Sequence, residues 1–184
     1  PLDLSFGSGI ARWADHVKNY YVKNGESFVD LSIYPMDRTA YIDESISFLK
    51  RAYLGLKDYN RIIKGIIKKV SEFRCDIVHI ASSASISLIK DLMLLRKLSR
   101  RKVKTIIHFH FGRIPELFAS NNWEWKLICK VAKIADKIVV IDKSSYTCLL
   151  KAGIDNVVLI PNPLSPQIAS QIAANGDVSR DDRS

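Results

Sequence analysis

The chain has 184 residues, 47% of them hydrophobic, and a mean hydropathy of zero. That composition fits one ordinary globular domain with a sizeable core and argues against a second full domain. No stretch approaches the roughly 18 apolar residues of a membrane-spanning helix, and no basic-then-apolar secretory signal opens the sequence, so a cytoplasmic location is expected.

In chain order, strand-like runs alternate with helical periods, the pattern of parallel βα units. "GIARWADHVKNYYVKNG" sets Ile10, Ala14, Val17 and Tyr21 on one helical face, with Gly25 as a stop. "SFVDLSIY" (27–34) reads as a strand, residues 43–56 as a weak amphipathic helix and 58–73 as a stronger one, with Ile62, Ile63, Ile66, Ile67 and Val70 apolar. "DIVHIA" (76–81) is a continuous apolar run of the kind covered on both sides. A helix over 85–99 is expected to be capped by the serines of "SSAS". "TIIHFHF" (105–111), a helix over 122–135, "KIVVID" (137–142), a helix over 143–152 closed by Gly153, and "NVVLIPN" (156–162) complete the pattern. Five strands with intervening helices predict an α/β fold with a doubly wound, Rossmann-like parallel sheet, in which ligands sit at the carboxyl ends of the strands.

Both ends read as cut. "PLDLSFGSGI" resembles the loop after a first strand, and from Ser165 to Ser184 the apolar period is lost. The expected division is a Rossmann-like domain over 1–164 and a linker over 165–184 toward a further domain. Lysines and arginines outnumber acids 28 to 19, so the surface should draw anions. The excess gathers at Arg61 to Lys69, at "RKLSRRKVK" (96–104) and at Lys126 to Lys133, on the polar sides of helical patterns, where a solvated face is the simplest reading. Cys75, Cys129 and Cys148 are odd in number and widely spaced, as for reduced thiols.

Three stretches stand out as candidate sites. In "GSGI", Gly7, Ser8 and Gly9 let a ligand approach a helix start whose N–H groups attract phosphate or hydroxyl oxygens; a plain tight turn explains them equally well. In "TIIHFHFGR", His108 and His110 share a strand face and His110 lies nearer the carboxyl end. His110 is therefore a candidate substrate contact, with Gly112 permitting close approach and Arg113 available for an anion. His79 on the preceding strand completes three imidazoles, enough in principle for zinc. His79 and His108 sit inside apolar runs, however, where core histidines are expected, and no metal site is assigned. In "VVLIPNPL", Pro161 and Pro163 bracket Asn162 and force an extended exit from the last strand.

Together the glycine loop, "KNGESFVDLSIY", "CDIVHIASSAS", "TIIHFHF" and "KIADKIVVIDKSSYTCLLKAGIDNVVLIPNPL" resemble the N-terminal half of glycosyltransferase family 4, over residues 5 to 164. These are retaining enzymes of the two-domain GT-B architecture. The resemblance implies an acceptor-binding domain for a glycan or lipid-linked acceptor, and no cofactor is expected. The nucleotide-sugar donor would be held mainly by a C-terminal domain through a Glu-rich motif. It further implies that Gly7, Ser8 and Gly9 approach the donor diphosphate or acceptor, that His110 touches the transferred sugar near its reacting carbon, and that Asn162 stands in the strand-end Ile-Pro-Asn. Two departures stand out: the usual Gly-Gly is Ser8-Gly9, and the usual Asn-Gly is Asn162-Pro163, a stiffer hinge. The implied chemistry is front-face hexosyl transfer with retention, in polysaccharide or glycoconjugate synthesis, by an enzyme of which this chain alone would be inactive. Peripheral contact with an anionic membrane is an added expectation from the basic faces. Nucleic acid is not an expected partner, because the aromatics do not interleave with the basic residues. A non-catalytic nucleotide or small-ligand module on the same sheet is the alternative.

Overall fold

The computed structural model describes residues 9–24, 30–34 and 48–162. The chain divides into two compact units, residues 27–160 and residues 1–26 with 161–184. In the second of these, α1 (Gly9–Asn24) is steadied within itself: Asn19 donates to Asp15 one turn earlier at 3.2 Å.

The larger unit contains α2 (Phe48–Glu72), β1 (Ile77–Ser82), α3 (Ser87–Ser99), β2 (Lys104–Phe109), α4 (Ile114–Ser120), α5 (Trp123–Ala132), β3 (Lys137–Val140), α6 (Lys143–Lys151) and β4 (Val157–Leu159). The four strands are all parallel and lie in the order β1-β2-β3-β4. This is an α/β, Rossmann-like sheet, and its described strands progress one way as in one half of a doubly wound sheet. Register places His79 opposite Ile106, Ala81 opposite His108, and His108 opposite Val139.

The two faces of the sheet differ in cover. Ile80, Ile107, Phe109, Ile138 and Val140 point into one apolar cluster with Leu88, Leu95 and Leu98 of α3, Ile128 and Val131 of α5, and Leu149 of α6. On the other face Ile77, His79, Lys104, Lys137 and Val158 are exposed, and His108 and Val139 are buried. The apolar face of α2 is as expected, with Ile62, Ile63, Ile66 and Val70 buried and α2 packed on α3.

Several local expectations are corrected. The two helices expected over 43–56 and 58–73 are one continuous α2 from Phe48, because nothing between them breaks a helix: Asp58 is held inside it by Arg61 at 2.8 Å, one turn on. Residues 43–47 lie outside the described residues. Asp30–Tyr34, the described part of the expected strand over 27–34, pairs with no described strand. Leu31 and Ile33 there are exposed and only Tyr34 packs against the core, so the apolar side of the alternation is not the buried one. The "SSAS" serines do not cap α3. Its N-cap position is Ile86 with no side-chain bond, because Ala84 and Ser85 turn left-handed (φ 77° and 57°) and re-aim the hydroxyls. Ser85 Oγ donates to Glu124 instead, at 3.2 Å, and Ser87 Oγ donates to the Ala84 carbonyl. Helix α4 was not anticipated, although Pro115 in its first turn suits a helix start. The expected linker over 165–184 lies outside the described residues.

One polar clamp fixes where β2 and β3 begin. Asp136 Oδ2 accepts from both the Thr105 N–H and the Thr105 hydroxyl at 2.9 Å, Asp136 Oδ1 accepts from Lys104 Nζ at 2.9 Å, and the Asp136 N–H donates back to Thr105 Oγ1 at 3.2 Å. These bonds hold the Asp136 carboxyl below its ordinary range, the Lys104 contact foremost. Thr105 itself is buried. Asp136→Ala strands a buried N–H and hydroxyl, and urea unfolding should show a loss of about 1–3 kcal/mol. An unchanged midpoint would show that the clamp holds nothing.

Candidate functional site

Parallel strands bring all four strand ends to one edge, and the expected site residues of the larger unit meet there. The His110 N–H donates to the Ser82 carbonyl at 3.0 Å, so pairing with β1 continues one residue past β2 and fixes the direction of the His110 side chain. At the end of β3, Asp142 caps α6: Oδ1 accepts from the Ser145 N–H and Oδ2 from Ser145 Oγ, both at 2.7 Å. Gly112 faces this cap, and a Cβ built there would stand 3.8 Å from Asp142 Oδ2, an ordinary contact. Crowding by the protein therefore does not require glycine at 112.

Three imidazoles line up across β1 and β2 on the less covered face. The rings of His79 and His108 are 5.4 Å apart between centroids, and those of His108 and His110 are 3.8 Å apart. His108 is 2% exposed. Burial pushes its pKa down to about 3, and positive charge on His110 or His79 would push the same way. His108 is thus held neutral in the core, as expected, whereas His79, also expected in the core, is exposed. His110 is half-buried, with both ring nitrogens shielded from solvent. A sugar hydroxyl would reach them only after the covering atoms move. Among the described residues no three of His, Cys, Asp and Glu are placed to hold a metal ion.

Arg113 is engaged within the protein. Its Nη2 lies 3.2 Å from Glu124 Oε2 and donates to Ser85 Oγ at 3.4 Å, while Ser85 Oγ donates to Glu124 Oε1. The guanidinium can meet an anion only by sharing with or leaving Glu124. Of the other expected residues, Gly9 opens α1 and Asn162 follows β4, both in the smaller unit. Gly7 and Ser8 lie outside the described residues.

Sequence reading missed a buried polar group behind the end of β1. Asp91 is fully buried; its Oδ2 accepts from Ser82 Oγ at 2.6 Å, and Oδ1 lies 3.7 Å from Lys90 Nζ. Burial pushes the Asp91 carboxyl up, and Lys90 and Ser82 oppose that shift. The signal was a Lys-Asp pair inside the apolar stretch "SLIKDLMLL". Lys90 also borders a cavity of about 390 Å³ with Tyr59, Ile62, Ser83, Ser85 and Ser87.

A four-stranded parallel sheet with helical crossovers and polar groups gathered at its carboxyl edge defines a Rossmann-like α/β domain. A family model, Glycosyltransferase Family 4, matches residues 8–167, and the chain belongs to that family as a GT-B-type, glycosyltransferase-family module. Neither a search of curated proteins nor one of solved structures returns a match.

The His108 environment sets a pH dependence. Its folded pKa lies below the ordinary imidazole value near 6.5, so between about 6.5 and about 3 the unfolded chain binds a proton that the folded chain refuses. Stability therefore falls as pH falls through that window, by at most about 1.4 kcal/mol per pH unit for one imidazole. Asp136 adds nothing until the pH drops toward the ordinary carboxylate range. Urea unfolding at pH 7 and pH 5 should show this loss, and His108→Leu should show a shallower one. Equal slopes would place the proton elsewhere.

Proposed function

We propose that the chain is the acceptor-binding half of a two-domain retaining glycosyltransferase that moves a hexosyl group from a nucleotide-sugar to a glycan or lipid-linked acceptor in polysaccharide or glycoconjugate synthesis. The observation that carries this reading is the place of His110, one residue beyond β2 at the carboxyl edge and anchored through its N–H to Ser82. In the proposed mechanism His110 donates or accepts a hydrogen bond at a hydroxyl of the transferred sugar as positive charge develops at the reacting carbon. The leaving diphosphate takes the acceptor proton on the same face of the sugar, so configuration is retained. This half supplies position and hydrogen bonds and no nucleophile. Residues 165–184 would then lead to the donor-binding domain, and Gly7, Ser8, Gly9 and Asn162 would serve on the cleft side. Arg113 acts first as the partner of Glu124 and reaches an anion only where that pair opens.

Interactions made in the transition state appear in kcat more than in KM. In the full two-domain enzyme, His110→Ala should lower kcat by roughly tenfold to a thousandfold, about 1.4–4 kcal/mol, with a smaller change in KM. Activity unchanged by His110→Ala removes His110 from the reaction.

The same reading makes this chain alone a poor binder of donors, since the groups that grip the diphosphate belong to the other half. Calorimetry with a panel of nucleotide-sugars should show no micromolar affinity, about −8 kcal/mol. Micromolar binding by the 184-residue chain would favour a self-sufficient nucleotide-binding module.

A further inference from the structure

A cluster of unassigned positive charge lies at the edge of the sheet opposite the carboxyl ends of the strands. Because the four strands are parallel, the turns that lead into them, residues 73–76, 100–104, 133–137 and 152–156, share the amino-terminal edge. These turns carry seven lysines and arginines against three aspartates. Arg74, Arg101, Lys102 and Lys104 border an open cavity of about 560 Å³ between the ends of α2 and α3, with Asp76 on the same rim. Lys104 is partly neutralised by Asp136 at 2.9 Å; Arg74, Arg101 and Lys102 are exposed. Arg74 and Lys102 hold left-handed backbone (φ 47° and 60°) just past their helices, where glycine is the usual occupant.

Two large apolar side chains stand among these cations: Phe73 is 47% exposed and Ile77 58% exposed. Cations around an exposed aromatic and an exposed aliphatic side chain combine attraction to anionic headgroups with shallow apolar insertion. A single-stranded nucleic acid would need open aromatic faces for stacking, and one face of Phe73 is covered by Lys69 Nζ at 4.9 Å from the ring centre. We propose that this amino-terminal edge docks the protein on an anionic lipid bilayer. The docking is independent of the reaction proposed above, whose residues in the larger unit, His110, Gly112 and Arg113, lie at the other end of the strands.

The test is co-sedimentation of the full chain with phosphatidylcholine vesicles, with and without phosphatidylglycerol, at low and high salt. Binding should require the anionic lipid and weaken with salt. A cation near such a surface is worth about 1 kcal/mol, roughly fivefold, so Arg74→Gln/Arg101→Gln/Lys102→Gln should bind roughly 100-fold more weakly. A control carrying Lys64→Gln/Lys126→Gln/Lys143→Gln, with the same change in net charge away from this edge, should keep most of the affinity. Thermal melts by circular dichroism check that both variants fold; if the first does not, Phe73→Ser should also weaken vesicle binding. Equal sedimentation with neutral vesicles, no sedimentation at all, equal loss in the control, or tighter binding to an oligonucleotide than to the anionic vesicles overturns the proposal.

Discussion

Parallel pairing of β2 with both β1 and β3 is the constraint on which the rest of this structure depends. Parallel strands cannot be joined by tight turns, so each must be followed by a crossover, and α3, the α4–α5 pair and α6 supply them. All strand ends then share one edge and all strand starts the other. The first edge collects His110, Gly112, Arg113 and the Asp142 cap; the second collects the Asp136 clamp and seven lysines and arginines. Register enforces the sorting residue by residue. With Ile106 opposite both His79 and Lys137, a slip of one position would send His108 and His110 into the apolar cluster and Ile107 and Phe109 out of it.

The asymmetry between the two faces explains why neighbouring imidazoles differ. From β2 the helix-covered face takes only apolar side chains and Thr105, whose N–H and hydroxyl both donate to Asp136. The histidines stand on the other face. There His108 is buried between strands and kept neutral, while His110 lies beyond the last ladder residue, where β2 gives way to a loop. Distance along the strand, about 3.3 Å per residue, separates the imidazole buried between strands from the half-buried one at the strand's end, whose ring nitrogens are still covered.

Much of this was legible in the sequence, for identifiable reasons. Strands β1 to β4 are marked by apolar runs rich in β-branched residues and helices α3, α5 and α6 by their periods, and Gly153, read as the stop of α6, does adopt the left-handed conformation (φ 73°) that closes it. The elements that were misread depend on partners a linear pattern does not name. The alternation over 30–34 implies a strand only if another strand lies beside it, and the break at residue 57 implies two helices only if packing does not carry one helix through. The serines of the "SSAS" loop were good caps by type, but two left-handed residues redirected them. Of the site, the strand-end histidine was readable because position along a strand is a sequence property. The engagement of Arg113 with Glu124 was not, because it joins residues 11 apart in different helical segments.

That pair bears on how the edge can handle charge. Arg113 and Glu124 together are neutral, and Ser85, bonded to both, ties them to the turn after β1. Arg113 is half exposed but Glu124 is only 12% exposed, so opening the pair costs more than it would at a fully exposed site. An anionic group arriving at the edge would compete with Glu124 for the guanidinium and gain a charge-assisted, bidentate partner if it won. The displaced carboxylate would keep its bond from Ser85. A ligand without negative charge would find the pair closed and meet only hydroxyls and the histidine edge. The cation at this edge is therefore conditional, in contrast to the amino-terminal edge, where Arg74, Arg101 and Lys102 present charge outward whether or not a partner is near. One fold thus carries two kinds of positive charge: a paired one beside the candidate chemistry, which favours ligands able to displace a carboxylate, and an open one at the far end, suited to a broad anionic surface.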